Sequence, residues 1–355
     1  DAAYRTMSAL TDLRSFLARH RLAVLGAVAV LVVIVLVAVL VTGDGDDDTT
    51  AEGPSAPAPV VAPLTGLTGD FGDRLERPAL FVKFDNVEEA RPQAGLNQAD
   101  IVIEEQVEGD LSRLAAVFHS TDAAEVGPVR SVRTTDLELV TLFGRPLFAS
   151  SGGNSSVMAQ LGEADVVDIG HNVSGEGFTR SDDRAAPHNL FTSTEALYDK
   201  APDDPPPPPE PVFTYLGDGE ALPDGAVPAN GVALRFGGPE VARFTWDADS
   251  GSWLRDQRGT PHVDTDGEQI APTNVVVAEI DYDLSGQQGR SVPHGSMTGD
   301  GRVVVLTQGH AVEGTWSRPA PGDPLQLVAD DGQPIALTPG RTFLELPPVG
   351  GWDLT

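Results

Sequence analysis

Ala79-Leu80-Phe81-Val82-Lys83-Phe84 and Asp100-Ile101-Val102-Ile103-Glu104 are two short apolar runs rich in β-branched and aromatic residues. Two similar runs follow, Leu114-Ala115-Ala116-Val117-Phe118 and Pro146-Leu147-Phe148-Ala149. Runs of this length and composition, bounded by turn-forming residues, are typical of buried strands. They predict that a sheet forms the centre of the first folded region.

Helical patterns lie among and after these predicted strands. Residues 134–143 and 154–161 have helical apolar spacing, and Ser193 can cap a short helix that continues through Tyr198. Because strands and helices alternate, residues 64–200 are predicted to form an α/β (or α+β) domain around a mixed sheet. That length is sufficient for one hydrophobic core.

A different pattern begins after residue 230. The short β-type runs there are residues 232–236, 243–246, 251–255, 274–280, 302–307, 314–316, 325–328 and 341–346. Turn formers such as Asp331-Gly332 and Pro339-Gly340 separate them, so residues 230–350 are predicted to be a second, mostly β domain. The linker at 201–229 contains five consecutive prolines, which favour a spacer or an SH3-type ligand. We therefore expect two cores with few shared contacts.

Residues 22–41 are apolar without interruption and carry no charge. A helix of this length spans the ~30 Å hydrocarbon layer of a bilayer. Arg14, Arg19 and Arg21 precede the run, and acidic residues follow it. The positive-inside rule then predicts a cytoplasmic tail at 1–21, one transmembrane helix at 22–42 and extracellular domains beyond a flexible stalk at 43–63. A cleaved signal peptide is the alternative, although its apolar core is shorter, ~7–15 residues.

The chain is strongly acidic, with a formal net charge of −30, and has no cysteine. Such a charge repels nucleic acid, so no nucleic-acid partner is expected. The absence of cysteine excludes disulfides, thiol nucleophiles, cysteine metal sites and a lipid-attachment cysteine in this sequence. The histidines have no metal-ligand spacing with carboxylates, so neither a metal nor another cofactor is predicted.

Arginines are concentrated in the first domain, mostly in segments with glycine or proline. Guanidinium groups bind carboxylate or phosphate in a bidentate manner, and loops after strands gather at one edge of an α/β sheet. We predict that a shared cleft, which binds an anionic ligand, is lined by at least four of seven side chains: Arg91, Arg113, Arg130, Arg133, Arg184, His188 and Asn189. Glu105 or Glu108 is expected to enter the same network, because buried guanidinium groups need partners. The candidate ligand-binding residues are Arg91, Glu105, Glu108, Arg113, Arg130, Ser131, Arg133, Arg184, His188 and Asn189. The alternative is that these arginines form structural ion pairs with nearby carboxylates.

Two other segments allow alternative interpretations. The Ser/Gly-rich residues 150–156 join a predicted strand to a helix and could offer backbone N–H groups to an anion, or could be an ordinary helix-capping loop. They match neither a P-loop nor a hydrolase elbow. Asp247-Ala248-Asp249-Ser250-Gly251 resembles half of a calcium loop, but a hairpin turn accounts for it better.

Several segments together resemble the YerB-like lipoprotein family, domain of unknown function 3048. They include Arg91-Pro92-Gln93-Ala94-Gly95-Leu96, Gly127-Pro128-Val129-Arg130-Ser131-Val132-Arg133, Ala186-Pro187-His188-Asn189-Leu190, Phe244-Thr245-Trp246-Asp247 and Thr338-Pro339-Gly340-Arg341-Thr342. The resemblance covers about residues 62–350. It implies a bacterial, surface-anchored, two-domain protein without an established enzymatic activity. This sequence lacks the lipid-attachment cysteine of that family, so residues 22–41 would take over the anchoring role.

Two functions are compatible with these features. The first is a non-enzymatic envelope module that binds or regulates a cell-wall polymer or a membrane-anchored wall-synthesis protein. The second is a hydrolase or transferase acting on an anionic envelope substrate, with His188 as general acid/base and Ser151 or Ser155 as nucleophile. An enzyme requires His188 within hydrogen-bond reach of a serine or carboxylate at the floor of a pocket.

Overall fold

The apolar runs of the first half form strands in the structure, a computed structural model that describes residues 59–238, 241–285 and 292–355. The strands of this half are β1 (Leu80–Phe84), β2 (Ile101–Val107), β3 (Leu111–Phe118), β4 (Leu147–Ala149), β5 (Val167–Asp168), β6 (Thr179–Arg180) and β7 (Leu190–Phe191). The α-helices are α1 (Thr134–Leu139), α2 (Ser155–Leu161) and α3 (Thr194–Tyr198), and 3-10 helices occupy Gly72–Glu76, Glu88–Ala90 and Val140–Phe143. The predicted strands and helices of this half are therefore confirmed.

Every β-type run predicted in the second half is also a strand. The strands are β8 (Val227–Pro228), β9 (Gly231–Arg235), β10 (Val241–Asp247), β11 (Ser252–Gln257), β12 (Thr260–Pro261), β13 (Asn274–Ala278), β14 (Tyr282–Asp283), β15 (His294–Gly295), β16 (Gly299–Thr307), β17 (His310–Arg318), β18 (Gln326–Ala329), β19 (Thr342–Leu346) and β20 (Trp352–Leu354). The Asp247 segment is the turn between β10 and β11, where the Asp247 carboxylate accepts a hydrogen bond from the Ser250 N–H at 3.1 Å.

A large mixed sheet contains strands from both halves of the chain. Its order within the described residues is β18-β17-β16-β13-β19-β2-β3-β1-β4-β5, and β8 also pairs with β17. A five-stranded sheet has the order β12-β11-β10-β9-β20. In the large sheet β19 runs parallel to β2 and to β13, β1 runs parallel to β4, and β3 is antiparallel to both β1 and β2. The carboxyl ends of β1, β2, β4, β13 and β19 consequently share one edge, here called the carboxyl edge.

The expectation of two cores with few shared contacts is wrong. One core cluster joins Phe81 and Ile103 to Val276 and Leu344, and a second cluster joins other first-half residues to the five-stranded sheet through residues such as Trp253. The parallel pairing of β19 with β2 makes the sheet continuous across both halves. Residues 59–355 form one compact unit. Contacts over more than 200 residues cannot be inferred from local patterns, which explains the error.

The proline-rich segment packs onto the fold, contrary to the prediction that it lies apart. Pro206 and Pro209 are buried, and Val212 and Phe213 belong to the first core cluster. Tyr215 continues this attachment through a bridge to Leu337. The segment at 201–229 therefore lies against the folded unit.

The fold class is mostly β with a mixed sheet. The predicted α/β class therefore overestimates the fraction of residues in helices. The helices of the first half are short, five to seven residues in each α-helix. The second half is mostly β, as predicted, and the mixed sheet of the first half is confirmed. Short helices cover only part of a sheet face, and strands of the second half extend the same sheet instead.

The predicted cytoplasmic tail at 1–21 and transmembrane helix at 22–42 lie outside the described residues, as does most of the stalk at 43–63. Among residues 59–238, 241–285 and 292–355, none of the helices has the length and hydrophobicity of a membrane span. Of the stalk, residues 59–63 are described, and Ala62 among them is fully buried. The folded unit therefore begins slightly before residue 64.

Candidate functional site

Polar side chains concentrate at the carboxyl edge of the large sheet. Asp85 follows β1, Glu105 lies on β2, and Arg113 lies near the start of antiparallel β3, which reaches the same edge. The loop that carries Arg130 adds to this edge, because the Arg130 N–H donates to the Lys83 carbonyl at 2.8 Å. The edge therefore collects charged groups that are far apart in sequence.

One carboxylate oxygen of Asp85 contacts both the Arg130 guanidinium and the His188 imidazole. Its Oδ2 lies 2.8 Å from Arg130 Nε and 2.7 Å from His188 Nδ1. The Asp85 side chain is only 1% exposed, whereas those of Arg130 and His188 are each 21% exposed. Since a carboxylate only accepts hydrogen bonds, Nδ1 of His188 carries the hydrogen. We call Asp85, Arg130 and His188 the Asp85 site.

The outer nitrogens of the Asp85 site remain available to a ligand. Within the described residues, neither the Arg130 Nη atoms nor His188 Nε2 makes a hydrogen bond to protein. Both side chains are partly exposed, so these atoms face solvent. The buried Asp85 carboxylate thus holds the Arg130 guanidinium and the His188 imidazole side by side. The Nη atoms of Arg130 and Nε2 of His188 are directed outward.

A second ion-pair group lies beside the Asp85 site. Arg133 binds Glu108 through two nitrogens, with Nε 2.7 Å from Oε2 and Nη2 against Oε1. Arg113 donates to the Ser131 carbonyl at 3.2 Å and lies 3.9 Å from Glu108. Burial alone would raise the pKa of Glu108, but the hydrogen bonds and charge of Arg133 lower it to about 2. Glu108 is therefore ionised at neutral pH.

Arg113 lies close to two other arginines, Arg130 and Arg133, and to the carboxylate of Glu108. Burial, and then the charges of Arg133 and Arg130, lower the pKa of Arg113 to about 10, against the opposing effect of Glu108. Arg113, Arg130 and Arg133 are thus close enough to repel one another in a chain that is acidic overall. The carboxylates of Glu108 and Asp85 oppose this effect of the two arginines.

Beneath these arginines lies a fully buried lysine with two carboxylates. Lys83 contacts Glu105 and lies 2.8 Å from Asp136, whose other oxygen accepts from the Arg133 N–H at 2.6 Å. Burial and the neighbouring Asp136 raise the pKa of Glu105 to about 7, although Lys83 opposes that rise. The triad connects the sheet to the start of α1 and supports the arginine loop from below.

A buried polar network joins the two halves at the same edge. Arg255 donates to Glu104 at 2.6 Å and contacts His262, whose Nε2 lies 2.7 Å from Gln93 Oε1. Burial and the charge of Arg255 lower the pKa of His262 well below its usual range, so this histidine is neutral. Burial and the Glu104 carboxylate raise the pKa of Glu345 well above its usual range.

The comparisons with known proteins agree with this architecture. The family described as "Protein of unknown function (DUF3048) N-terminal domain" matches residues 64–206, and its C-terminal domain matches residues 232–344. These matches cover well over half of the chain. The chain belongs to this family. The resemblance to the YerB-like family that the sequence indicated is therefore confirmed.

YerB of Bacillus subtilis can be compared with the chain through its sequence and through a crystal structure. The protein of strain 168 named "Putative lipoprotein YerB" is 28% identical over 299 residues, which are 81% of this chain and 86% of that protein. The crystal structure of the YerB protein from Bacillus subtilis has a TM-score of 0.73 at 25% identity and covers 83% of this chain and 99% of that one. This DUF3048 chain therefore has the fold of that structure through both halves.

The predicted site residues separate into three groups in this DUF3048 member. One neighbourhood contains Glu108, Arg113, Arg130, Ser131, Arg133 and His188. Glu105 lies below it, against Lys83. Arg184 and Asn189 bond to backbone carbonyls, and Arg91 lines a cleft with Pro92 and His262.

Arg184 and Asn189 donate hydrogen bonds to backbone carbonyls. Arg184 donates to the carbonyls of Ala90 and Pro92, each at 2.7 Å. Asn189 donates to the carbonyls of Ser181 and Arg184 at 2.9 and 3.1 Å. These bonds shape the loop that precedes His188 and connect it to residues 90–92.

The sequence interpretation missed Lys83, Asp85, Asp136, Arg255 and His262. Lys83 is the single charge within an apolar strand, and Asp85 follows that strand directly, so both carried a local signal. Arg255 and His262 carried none, because their partners lie on distant segments. No group of three or more potential ligand side chains that could hold a metal occurs in the part of the chain that the structure describes.

Proposed function

We propose that this chain is a membrane-anchored, extracytoplasmic protein of the bacterial envelope that binds an anionic group. The ligand belongs to a cell-wall polymer or to a membrane-anchored wall-synthesis protein. Residues 22–41 and their arginine-rich N-terminal flank support the anchor and its orientation. The name of the Bacillus subtilis relative, a lipoprotein, supports a surface location. Since this sequence has no cysteine to carry a lipid, the apolar run provides the attachment.

The geometry of the Asp85 site is the observation that supports binding. One oxygen of a buried carboxylate fixes Arg130 and His188, which leaves the guanidinium fork and the imidazole Nε2 directed to solvent. Because the protein already holds these two side chains in place, they lose less conformational entropy when a ligand binds. Two parallel N–H groups of a guanidinium match two oxygens of a carboxylate or a phosphate. The Asp85 site is therefore suited to an oxyanion.

The surrounding charges also favour a binding role for Arg130. Arg133 already has both oxygens of Glu108 as partners, and Arg184 has two carbonyls, so these arginines are structural. Arg130 differs, because its ion pair with Asp85 uses Nε alone. The nearby charges of Arg113 and Arg133 add to the positive potential. An incoming anion would meet this cationic group at Arg130.

A binding experiment with the full chain in detergent tests the proposal. Sedimentation with purified bacterial walls measures binding to a cell-wall polymer. Crosslinking in membranes measures binding to a membrane-anchored wall-synthesis protein. We expect Arg130→Ala to reduce capture at least tenfold, while Arg235→Ala, which breaks an exposed pair with Asp353, changes nothing. Equal capture by both variants would contradict the proposal. Isolated halves are unsuitable for this experiment because the large sheet includes both.

The orientation has a separate test. Protease added to intact protoplasts should remove most of the chain and leave a small protected fragment that contains residues 22–42. Survival of the folded unit would show the opposite orientation. A soluble mature form without the apolar run would indicate a cleaved signal peptide instead.

One observation favours the second candidate function, a hydrolase or transferase. The hydrogen bond of 2.7 Å between His188 Nδ1 and buried Asp85 leaves Nε2 free to transfer a proton, as in acid/base dyads. Within the described residues His188 has no hydrogen bond to a serine, and Ser151 Oγ lies 3.4 Å from Ser131 Oγ instead. Activated water would then replace a serine nucleophile.

Mass spectrometry of wall polymers after incubation with the protein tests this second candidate. Turnover that His188→Gln abolishes, with wall binding retained, would establish an enzyme. If the wild-type chain binds walls and releases no product, the result contradicts the hydrolase or transferase function and supports the binding function.

A further inference from the structure

Gln93 carries a fully buried amide that lies between the Asp85 site and the second half of the chain. Its main chain pairs with Asp264 in a parallel bridge, and its carbonyl accepts a hydrogen bond of 2.9 Å from the Thr265 N–H. Its side chain contacts both His262 and the residues that follow β1. This segment of the first half is therefore held in place by the second half.

The hydrogen bonds that lead from Arg255 to Gln93 run in one direction. A guanidinium only donates, so Nδ1 of His262 accepts from Arg255. Burial and the charge of Arg255 lower the pKa of His262 well below its usual range, so the imidazole is neutral and its Nε2 carries the hydrogen. Nε2 therefore donates to Gln93 Oε1 at 2.7 Å, which leaves the amide nitrogen of Gln93 to donate elsewhere.

The Gln93 amide nitrogen fixes the two residues that follow β1. It donates to the Asp85 carbonyl at 2.9 Å and to Asn86 Oδ1 at 3.2 Å. The Asn86 N–H in turn donates to Asp85 Oδ1 at 3.1 Å, and the Asn86 amide nitrogen donates to Glu104 at 3.0 Å. These bonds occupy the carbonyl and one carboxylate oxygen of Asp85. Its Oδ2 is left for the other two members of the Asp85 site.

Burial makes this arrangement specific. Asp85, Asn86, Gln93 and His262 are each at most 2% exposed, so water does not replace a hydrogen bond that is lost among them. A buried polar network in which every bond is made selects one arrangement of its side chains. The direction in which Asp85 presents Oδ2 is consequently set from the second half.

We propose that Gln93 is a positioning residue of the Asp85 site, and that His262 of the second half acts on anion binding through it. This inference rests on the proposed binding of an oxyanion at that site. Loss of the Gln93 bonds allows Asp85 to turn, so that Arg130 and His188 no longer share one fixed carboxylate oxygen. The affinity for the oxyanion then falls, although both side chains that face the ligand are intact.

Nitrogen-15 NMR of the full chain in detergent tests the direction of the bonds without a ligand. The wild type should show the hydrogen on Nε2 in His262 and on Nδ1 in His188. The opposite tautomer of His262 would reverse the bonds between Arg255 and Gln93 and overturn the proposal.

Gln93→Met tests the role of the amide, because methionine has nearly the length of glutamine but lacks the amide group. It should shift the nitrogen resonances of His188 before any ligand is added. It should also weaken the binding of phosphate by about tenfold, the effect that loss of an outer hydrogen-bond partner has at metal sites.

Asn274→Leu is the matched control. Asn274 is also a fully buried amide, with hydrogen bonds to Thr338 and Thr342, but it lies at the opposite edge of the large sheet. This variant should lower the melting temperature, as Gln93→Met does, and leave the phosphate affinity and the His188 resonances unchanged. Equal effects of both variants on His188 would indicate a general loss of structure and overturn the proposal.

The outcomes distinguish this role of Gln93 from oxyanion binding itself. If the wild type binds phosphate, and Gln93→Met binds it equally with unchanged His188 resonances, the positioning role is refuted and the binding function stands. If the wild type binds no phosphate, the binding function fails. A shift of the His188 resonances in Gln93→Met then still supports the positioning role, and no shift refutes it.

If Gln93→Met does not fold, the wild-type chain provides the test. Coupling between two sites is reciprocal, so saturating phosphate should shift the resonances of His262. Those of His119, which is buried at the opposite edge of the sheet, should stay unchanged. Unchanged His262 resonances would overturn the proposal.

Discussion

Glu104 on β2 and Arg255 on β11 form a fully buried ion pair, with Oε2 and Nη2 separated by 2.6 Å. The pair connects the large sheet to the five-stranded sheet and is surrounded by Gln93, His262 and Glu345. It joins the two family-matched halves through a charge contact that solvent cannot reach. The halves of this DUF3048 chain therefore depend on one another for stability.

Removal of Arg255 should destabilise the whole folded unit. Arg255→Ala leaves the Glu104 carboxylate buried without its cation, which costs about 3–5 kcal/mol. Urea unfolding followed by circular dichroism measures this loss. Arg235→Ala breaks an exposed pair and should change the free energy of unfolding by less than about 1 kcal/mol. Similar losses in both variants would contradict a stabilising role for the buried pair.

The two halves should unfold in a single transition. The four tryptophans all lie after residue 240, so their fluorescence reports the second half, whereas hydrogen exchange of β2 and β3 reports the first. Because β19 pairs with β2 within one sheet, both probes should give the same midpoint. Limited proteolysis near residues 200–230 should not release two folded pieces. Separate midpoints, or two stable fragments, would restore the two-core interpretation.

Arg133 and Arg130 should differ in their effects on stability. Arg133→Ala removes both hydrogen-bond partners of Glu108 and should lower the melting temperature by several degrees. Arg130→Ala leaves Asp85 bonded to His188 and to the Asn86 N–H. Because the Arg130 side chain is partly exposed, unlike that of Arg255, water can take its place, and the melting temperature should fall less than in Arg133→Ala. Differential scanning calorimetry measures both. A larger loss in Arg130→Ala would assign that residue a structural role.

Glu105 should make stability depend on pH near neutrality. The pKa of Glu105 is raised from 4.5 to about 7 in the folded state. Its contribution to the free energy of unfolding is therefore fully present below pH 4.5, and it is lost as the pH rises to about 7. Glu105→Gln removes this dependence. The variant should equal the wild type at pH 4.5 and be more stable at pH 8, by up to roughly 3 kcal/mol.

Glu108 provides a control of opposite sign. Its pKa is lowered to about 2, so its contribution is present above pH 4.5 and is lost as pH falls toward 2. Glu108→Gln should therefore destabilise the protein at neutral pH. Urea unfolding at pH 4.5, 6 and 8 compares the two variants. A Glu105→Gln variant that is less stable than the wild type at pH 8 would contradict the assigned pKa.

The local structure of this chain was predictable because its signals are local. The N-cap residues Asn154 and Ser193 accept hydrogen bonds from Val157 and Ala196, as their types and positions indicate. The apolar runs at β1 and β2 were evident for the same reason. Tertiary assembly was not predictable, because nothing near Phe343 or Val102 specifies that they pair.

The candidate site was predictable only in part. Arg130, Arg133 and His188 stood out because arginine and histidine are rare in this acidic sequence, and they do lie at one edge. Arg184 had the same signal but donates to backbone carbonyls. Composition shows which residue types are unusual in this sequence. Whether a guanidinium keeps N–H groups available for a ligand depends on its partners in the folded structure, which composition does not give.

Binding of an oxyanion at Arg130 and His188 is the central claim, and NMR titration of the His188 imidazole tests it most directly. The full chain in detergent is titrated with phosphate and with acetate at constant ionic strength. We predict a saturable shift of the His188 resonance with at least one anion, which Arg130→Ala abolishes and Arg235→Ala preserves. The absence of a saturable shift with both anions, or the same shift in Arg130→Ala, would contradict the claim.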